Sequence, residues 1–151
     1  RNAGNVQKGY QLFLAAEAAL DDFIPQKMSL ISKRLFSSYD IETVKSKRRE
    51  NYMFLNSEYK DINKFDLTLN DTDIPLCYPL MLDFDVTEIC NNLRNRNIFL
   101  PRYWPNNNIQ KSIPKKIFDS TLFIPVDERI DAIKLQKIVT EIGKEIQGKI
   151  K

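Results

Sequence analysis

Apolar and polar residues recur along this chain with two different periods, and the switch between them divides its sequence. From Gln11 to Phe23, Leu12, Ala16, Ala19, Leu20 and Phe23 follow the three- and four-residue spacing of one helix face, and Pro25 closes the segment. The stretch Lys27 to Ser38 is shorter and mixed and predicts a helical turn or two. A longer helix is predicted from Ile41 to about Tyr59. Asp40 is its N-cap, Glu42 places a negative charge in the first turn, and Ile41, Val44, Tyr52 and Leu55 share one side.

The period then falls to 2. Phe65, Leu67 and Leu69 alternate with Asp66 and Thr68, the pattern of a strand with one buried face. Asn70-Asp71-Thr72-Asp73 is turn chemistry, because short polar side chains bond back to their own backbone. A second strand is predicted from Leu76 to Leu82, with Leu76, Tyr78, Leu80 and Leu82 on one face and Pro79 marking an edge or a bulge. Asp85-Val86-Thr87-Glu88 has capping-box spacing and opens a helix to about Asn95, with Val86, Ile89, Cys90 and Leu93 inward. Ile98 to Tyr103 reads as a short strand interrupted by Pro101, and Trp104-Pro105-Asn106-Asn107-Asn108 as a loop. A helical turn after Pro114, a strand Thr121 to Pro125 and a helix from about Asp131 to Ile146 complete the chain; Leu135, Ile138, Val139, Ile142 and Ile146 form the stripe of that helix.

This order predicts an α+β fold: a small, mostly antiparallel sheet with helices packed on one face. A doubly wound parallel sheet is disfavoured, since its long, continuous apolar strands are missing. The opening helices look like a bridge from a preceding domain, so residues 1–38 are expected to be a helical bridge and 39–151 a small domain of a larger protein.

Composition narrows the chemistry. A chain of 151 residues fits one domain, and no run approaches the roughly 18 to 20 apolar residues that a membrane helix needs. Without a basic stretch leading into an apolar run, no signal peptide is expected and the cytoplasm is the default compartment. The net charge of +3 is spread along the chain, and its densest run, Lys45-Ser46-Lys47-Arg48-Arg49, is followed at once by Glu50. That reads as a solvated helix face, and no nucleic-acid partner is expected.

The chain has no histidine, which excludes Ser-His and Cys-His nucleophiles. Its four glycines lie near the two ends and form no phosphate-binding loop. Cys77 and Cys90 have no metal-ligand spacing and are expected to be reduced core thiols.

Several segments then resemble a known family in the right order. Arg48-Arg49-Glu50-Asn51-Tyr52, at the centre of the helix that ends near Leu55, resembles the RR-x-N-[FY]-xx-L helix of the DegT/DnrJ/EryC1-like aminotransferases. Pro75-Leu76-Cys77-Tyr78-Pro79-Leu80 looks like the first strand of their small domain, and Asn92 to Phe99 is similar to their helix-to-strand step, with Asn97 where a glycine is usual. Trp104-Pro105 matches the aromatic loop that follows. Leu122 to Ile130 resembles the LP-[VI]-D-x-RY segment before the last helix, with Ile130 where tyrosine is common.

The resemblance implies the C-terminal small domain of a fold-type-I enzyme. In such enzymes a larger N-terminal domain holds pyridoxal phosphate through a lysine Schiff base, and the ring acts as electron sink. Pyridoxal phosphate is thus expected in the full-length parent and no cofactor in this fragment, which is not active alone. The implied partners are its own N-terminal large domain, a second subunit in a homodimer and a small-molecule substrate such as a keto-sugar nucleotide. No membrane partner is expected.

Arg102, Tyr103, Trp104 and Arg129 are the candidate substrate-binding residues: an arginine fork suits a carboxylate, and an indole stacks on a flat ligand. Three of them have a structural alternative, Trp104 as an anchor on the core and Arg102 and Arg129 as surface or ion-paired charges. Arg48 and Arg49 suit a structural or interdomain salt bridge better than catalysis. A different class of function stays open, an interaction module that kept the fold and lost the chemistry.

Overall fold

The computed structural model describes residues 6–20, 24, 27–103 and 113–149. Its elements are α1 (Val6–Ala18), α2 (Leu30–Ser37), α3 (Ile41–Tyr59), β1 (Cys77–Met81), α4 (Thr87–Asn95), α5 (Ile113–Ser120), β2 (Thr121–Pro125) and α6 (Ala132–Lys149). The fold is α+β: among the described residues, six helices accompany a two-stranded antiparallel sheet. None of these helices is long and apolar enough to cross a membrane. The chain divides into two compact units, Arg1–Tyr39 and Asp40–Lys151.

In the first unit none of the described residues is buried. The α1 helix starts and stops earlier than its apolar stripe suggests, because the polar residues Gln7 and Lys8 continue the helix without adding to that stripe. It closes in a tightened turn, where the Leu20 amide donates to the Glu17 carbonyl at 3.1 Å. Phe23 and Pro25 lie outside the described residues. The α2 helix has eight residues, about the two turns its sequence predicts. Ser29 caps it, its Oγ accepting from the Ser32 amide at 3.1 Å.

The second unit holds the core. Its first helix, α3, has the bounds its sequence predicts, and Asp40 caps it by accepting from the Thr43 amide at 3.1 Å and the Thr43 hydroxyl at 2.6 Å. The inward face begins later than expected: Asn51, Tyr52, Leu55 and Tyr59 are buried, whereas Ile41 is exposed. In the sheet, Tyr78 faces Ile124 and Leu80 faces Leu122, and these four side chains are fully buried. Leu55 of α3, Ile89 and Leu93 of α4, and Leu135 and Ile142 of α6 join them in one core. Burying each such aliphatic side chain contributes about 1.5–3 kcal/mol. Tyr52 meets Tyr78 edge-on at 5.1 Å, and the Tyr59 hydroxyl donates to the Val139 carbonyl at 3.2 Å.

Residues 65–69 do not form the strand their alternation predicts. The reason is Asn63. Its amide nitrogen donates to the Pro79 carbonyl at 2.9 Å and its oxygen accepts from the Met81 amide at 3.0 Å, while the Lys64 amide donates to the Met81 carbonyl at 2.9 Å. A side-chain amide and one backbone group thus occupy the outer edge of β1 where a neighbouring strand would pair. Pro79, lacking an N–H, loses nothing on that edge. Leu67 remains 49 % exposed. The turn that follows does form, with the Asn70 amide donating to Asp73 Oδ2 at 2.8 Å and the Asp73 amide to the Asn70 carbonyl at 3.1 Å.

The capping box before α4 is replaced by other contacts. Asp85 Oδ1 accepts from the Thr87 amide at 2.7 Å, and Glu88 pairs with Lys149 of α6. Buried Val86 occupies the N-cap position, and its own amide donates to the Asp119 carbonyl at 2.8 Å. At the other end the Ile98 amide donates to the Leu93 carbonyl and the Asn97 amide to the Arg94 carbonyl, both at 2.9 Å, with Asn97 at φ 62°. This is a Schellman stop with asparagine in the left-handed position.

Residues 98–103 then run as irregular chain, not as the predicted strand. Pro101 cannot donate to a ladder, and the side chains of Arg102 and Tyr103 fasten the segment instead. The α5 helix is eight residues long rather than a single turn. The strand β2 and the buried positions Leu135, Val139, Ile142 and Ile146 of α6 follow the sequence pattern.

Candidate functional site

The three candidate residues that are described take different positions. Arg102 is turned inward against α4 and α5. Its guanidinium carbon stands 4.1 Å from the centre of the Phe118 ring, Nη1 donates to Cys90 Sγ at 3.7 Å, and Nη2 lies 4.0 Å from Asp119 Oδ1. These contacts, with only 20 % of the side chain exposed, make it a fastener of residues 98–103.

Tyr103 lies edge-on against Phe123 of β2, with ring centres 5.3 Å apart. Burial raises its phenol pKa, Cys77 adds to the rise, and the positive charge of Arg48 opposes it. Trp104 lies outside the described residues.

Arg129 sits in the turn after β2 with 73 % of its side chain exposed. Its Nε and Nη2 grip Asp127 Oδ1 and Oδ2 at 2.7 and 2.5 Å, and its backbone amide donates to Asp127 Oδ1 at 2.9 Å. The Arg129 hydrogen bond is the main reason that the Asp127 carboxyl is held down at about 2; Arg48 adds a smaller pull. The structure packs Tyr103 on β2, pairs Arg129 with Asp127 in the turn after that strand, and directs Arg102 toward α4 and α5.

The contacts centred on α3 have no local sequence signal. Arg48 Nε donates to Glu128 Oε2 at 3.0 Å, with the two side chains 22 % and 17 % exposed. Asn51, buried, directs its amide nitrogen to the carbonyls of Val126, Asp127 and Ile130 at 3.4, 3.1 and 3.3 Å. Arg49, on another face of the helix, donates to the carbonyls of Asn70 and Asp73, both at 2.7 Å. The RRENY stretch thus fastens two distant segments to one helix. Its partners are backbone carbonyls and a glutamate far along the chain, which spacing alone could not name.

Arg48 with Glu128 and Arg129 with Asp127 form two ion pairs, each balanced in formal charge. Neither thiol suits nucleophilic work: burial pushes Cys77 up to about 11 and raises Cys90, so both are protonated near neutral pH. Among the described residues no cluster of three or more histidine, cysteine or acidic side chains is placed to hold a metal ion.

Pyridoxal phosphate does not fit the described residues either. Lys45, Lys47, Lys64, Lys134, Lys144 and Lys149 stand at the surface paired with carboxylates, unlike a lysine sunk in a site where its amine would be neutral and nucleophilic. The described glycines, 9, 143 and 148, lie within helices and form no phosphate cradle.

No family model, curated protein or solved structure matches the chain.

Proposed function

We propose that this chain is the C-terminal small domain of a pyridoxal-phosphate-dependent, DegT/DnrJ/EryC1-like aminotransferase that works in the cytoplasm and transfers an amino group to a keto compound, with keto-sugar nucleotides as the substrate class. The supporting observation is a meeting of motifs. Arg48 and Asn51, from the segment resembling RR-x-N-[FY], hold Glu128 and the carbonyls of Val126, Asp127 and Ile130, from the segment resembling LP-[VI]-D-x-RY. Two of the resembling segments thus meet, through motif side chains on α3 and through the variable position and backbone carbonyls of the other segment.

In this reading the N-terminal helices lead in from a larger domain that supplies the cofactor and its lysine, and the parent works as a homodimer. Tyr103 and Arg129, with Trp104 next in sequence, form the substrate side, and Arg102 is a positioning residue for that segment. The fragment alone has no transaminase activity.

The test is spectroscopic. Protein made from the full reading frame, with any sequence its gene encodes before Arg1, should take up pyridoxal phosphate and absorb at about 400–430 nm, and the band should bleach with an amino donor. The 151-residue chain alone should show no such band. A well-folded full-length protein without the band would sink the aminotransferase reading in favour of an interaction module with a degenerate fold.

A further inference from the structure

We draw no further inference here: the strongest candidate, the exposed apolar surface of α2 that includes Leu30, Ile31, Leu35 and Phe36, carries nothing because nothing in the structure shows what covers it.

Discussion

Arg48 and Glu128, eighty positions apart, form a half-buried ion pair that ties the middle of α3 to the turn after β2. Each side chain is less than a quarter exposed, so the pair is better shielded than an ordinary surface bridge. Arg48→Ala is expected to lower stability by about 1–3 kcal/mol, since it leaves Glu128 partly desolvated without its cation. A double-mutant cycle with Glu128→Gln, followed by urea unfolding, measures the coupling. Additive losses would mean that the two side chains act independently.

Asn51 bonds to the same turn from inside the core. Asn51→Ala leaves three carbonyls without this donor and should cost about 1–3 kcal/mol. Asn51→Asp is the sharper test, because a carboxylate would face those carbonyl oxygens. The introduced acid would have a folded-state pKa above its unfolded value, so its harm should be greatest at neutral pH and ease as pH falls toward 4 (about the unfolded value of an aspartate). Urea midpoints of the two variants at pH 7 and 5 test this, and an Asn51→Asp penalty independent of pH would refute the donor role.

Where the sequence pattern succeeded, side-chain burial alone decides the element. The stripe of α6 and the strand β2 need no distant partner to be recognised, and Asp40 caps α3 through an atom three residues away. Where it failed, distant groups took over. The alternation at Phe65, Leu67 and Leu69 is a sound strand signal, but Asn63 fills the pairing edge at Pro79 and Met81. Arg102 and Tyr103 are identifiable as residues of interest, yet only the fold shows that one packs on Phe118 and the other on Phe123. The ion pair with Glu128 could not be inferred from neighbours of Arg48.

Asn97 occupies a left-handed backbone position at the end of α4, with φ 62°. Glycine accepts that conformation without a Cβ penalty, asparagine tolerates it, and β-branched residues do not. Asn97→Gly should therefore raise stability slightly, by about 0.5 kcal/mol, the strain relieved being partly offset by a freer unfolded chain. Asn97→Val should lower it by about 1–2 kcal/mol. Thermal unfolding of the two variants reads the order, and a valine variant as stable as the parent would contradict this backbone geometry.

The Asp127 carboxyl makes one part of the acid sensitivity predictable. Its folded-state value of about 2 lies below the ordinary 3.8, chiefly because of the Arg129 hydrogen bond. A depressed acid contributes stability that is fully present above its unfolded pKa and is lost as pH falls through the folded one. The contribution should thus fade between about pH 4 and 2. Asp127→Asn should flatten that part of the stability curve while costing less than about 1 kcal/mol at pH 7, because Arg129 is largely exposed. An unchanged acid slope would show that Asp127 does not carry it.

Thiol reactivity offers a measurement that needs no substitution. Burial raises Cys77 from 9.0 to about 11, so its thiolate fraction at pH 8 falls roughly a hundredfold. A more basic thiolate is also a better nucleophile, which returns part of that loss and leaves an expected slowing of about tenfold or more against the unfolded chain. Cys90 is buried beside Arg102, and its thiol is also raised because desolvation outweighs the pull of the arginine. Iodoacetamide labelling at pH 8, followed by peptide mass analysis, should find both cysteines slow in the native protein and fast in denaturant. The Arg102→Ala variant gives the directional check. Its Cys90 should label more slowly still if only the charge is lost, and faster if Arg102 is what keeps residues 98–103 packed over the thiol. The packing contacts on Phe118 and Cys90 favour the faster outcome, and a slower one would limit Arg102 to an electrostatic role.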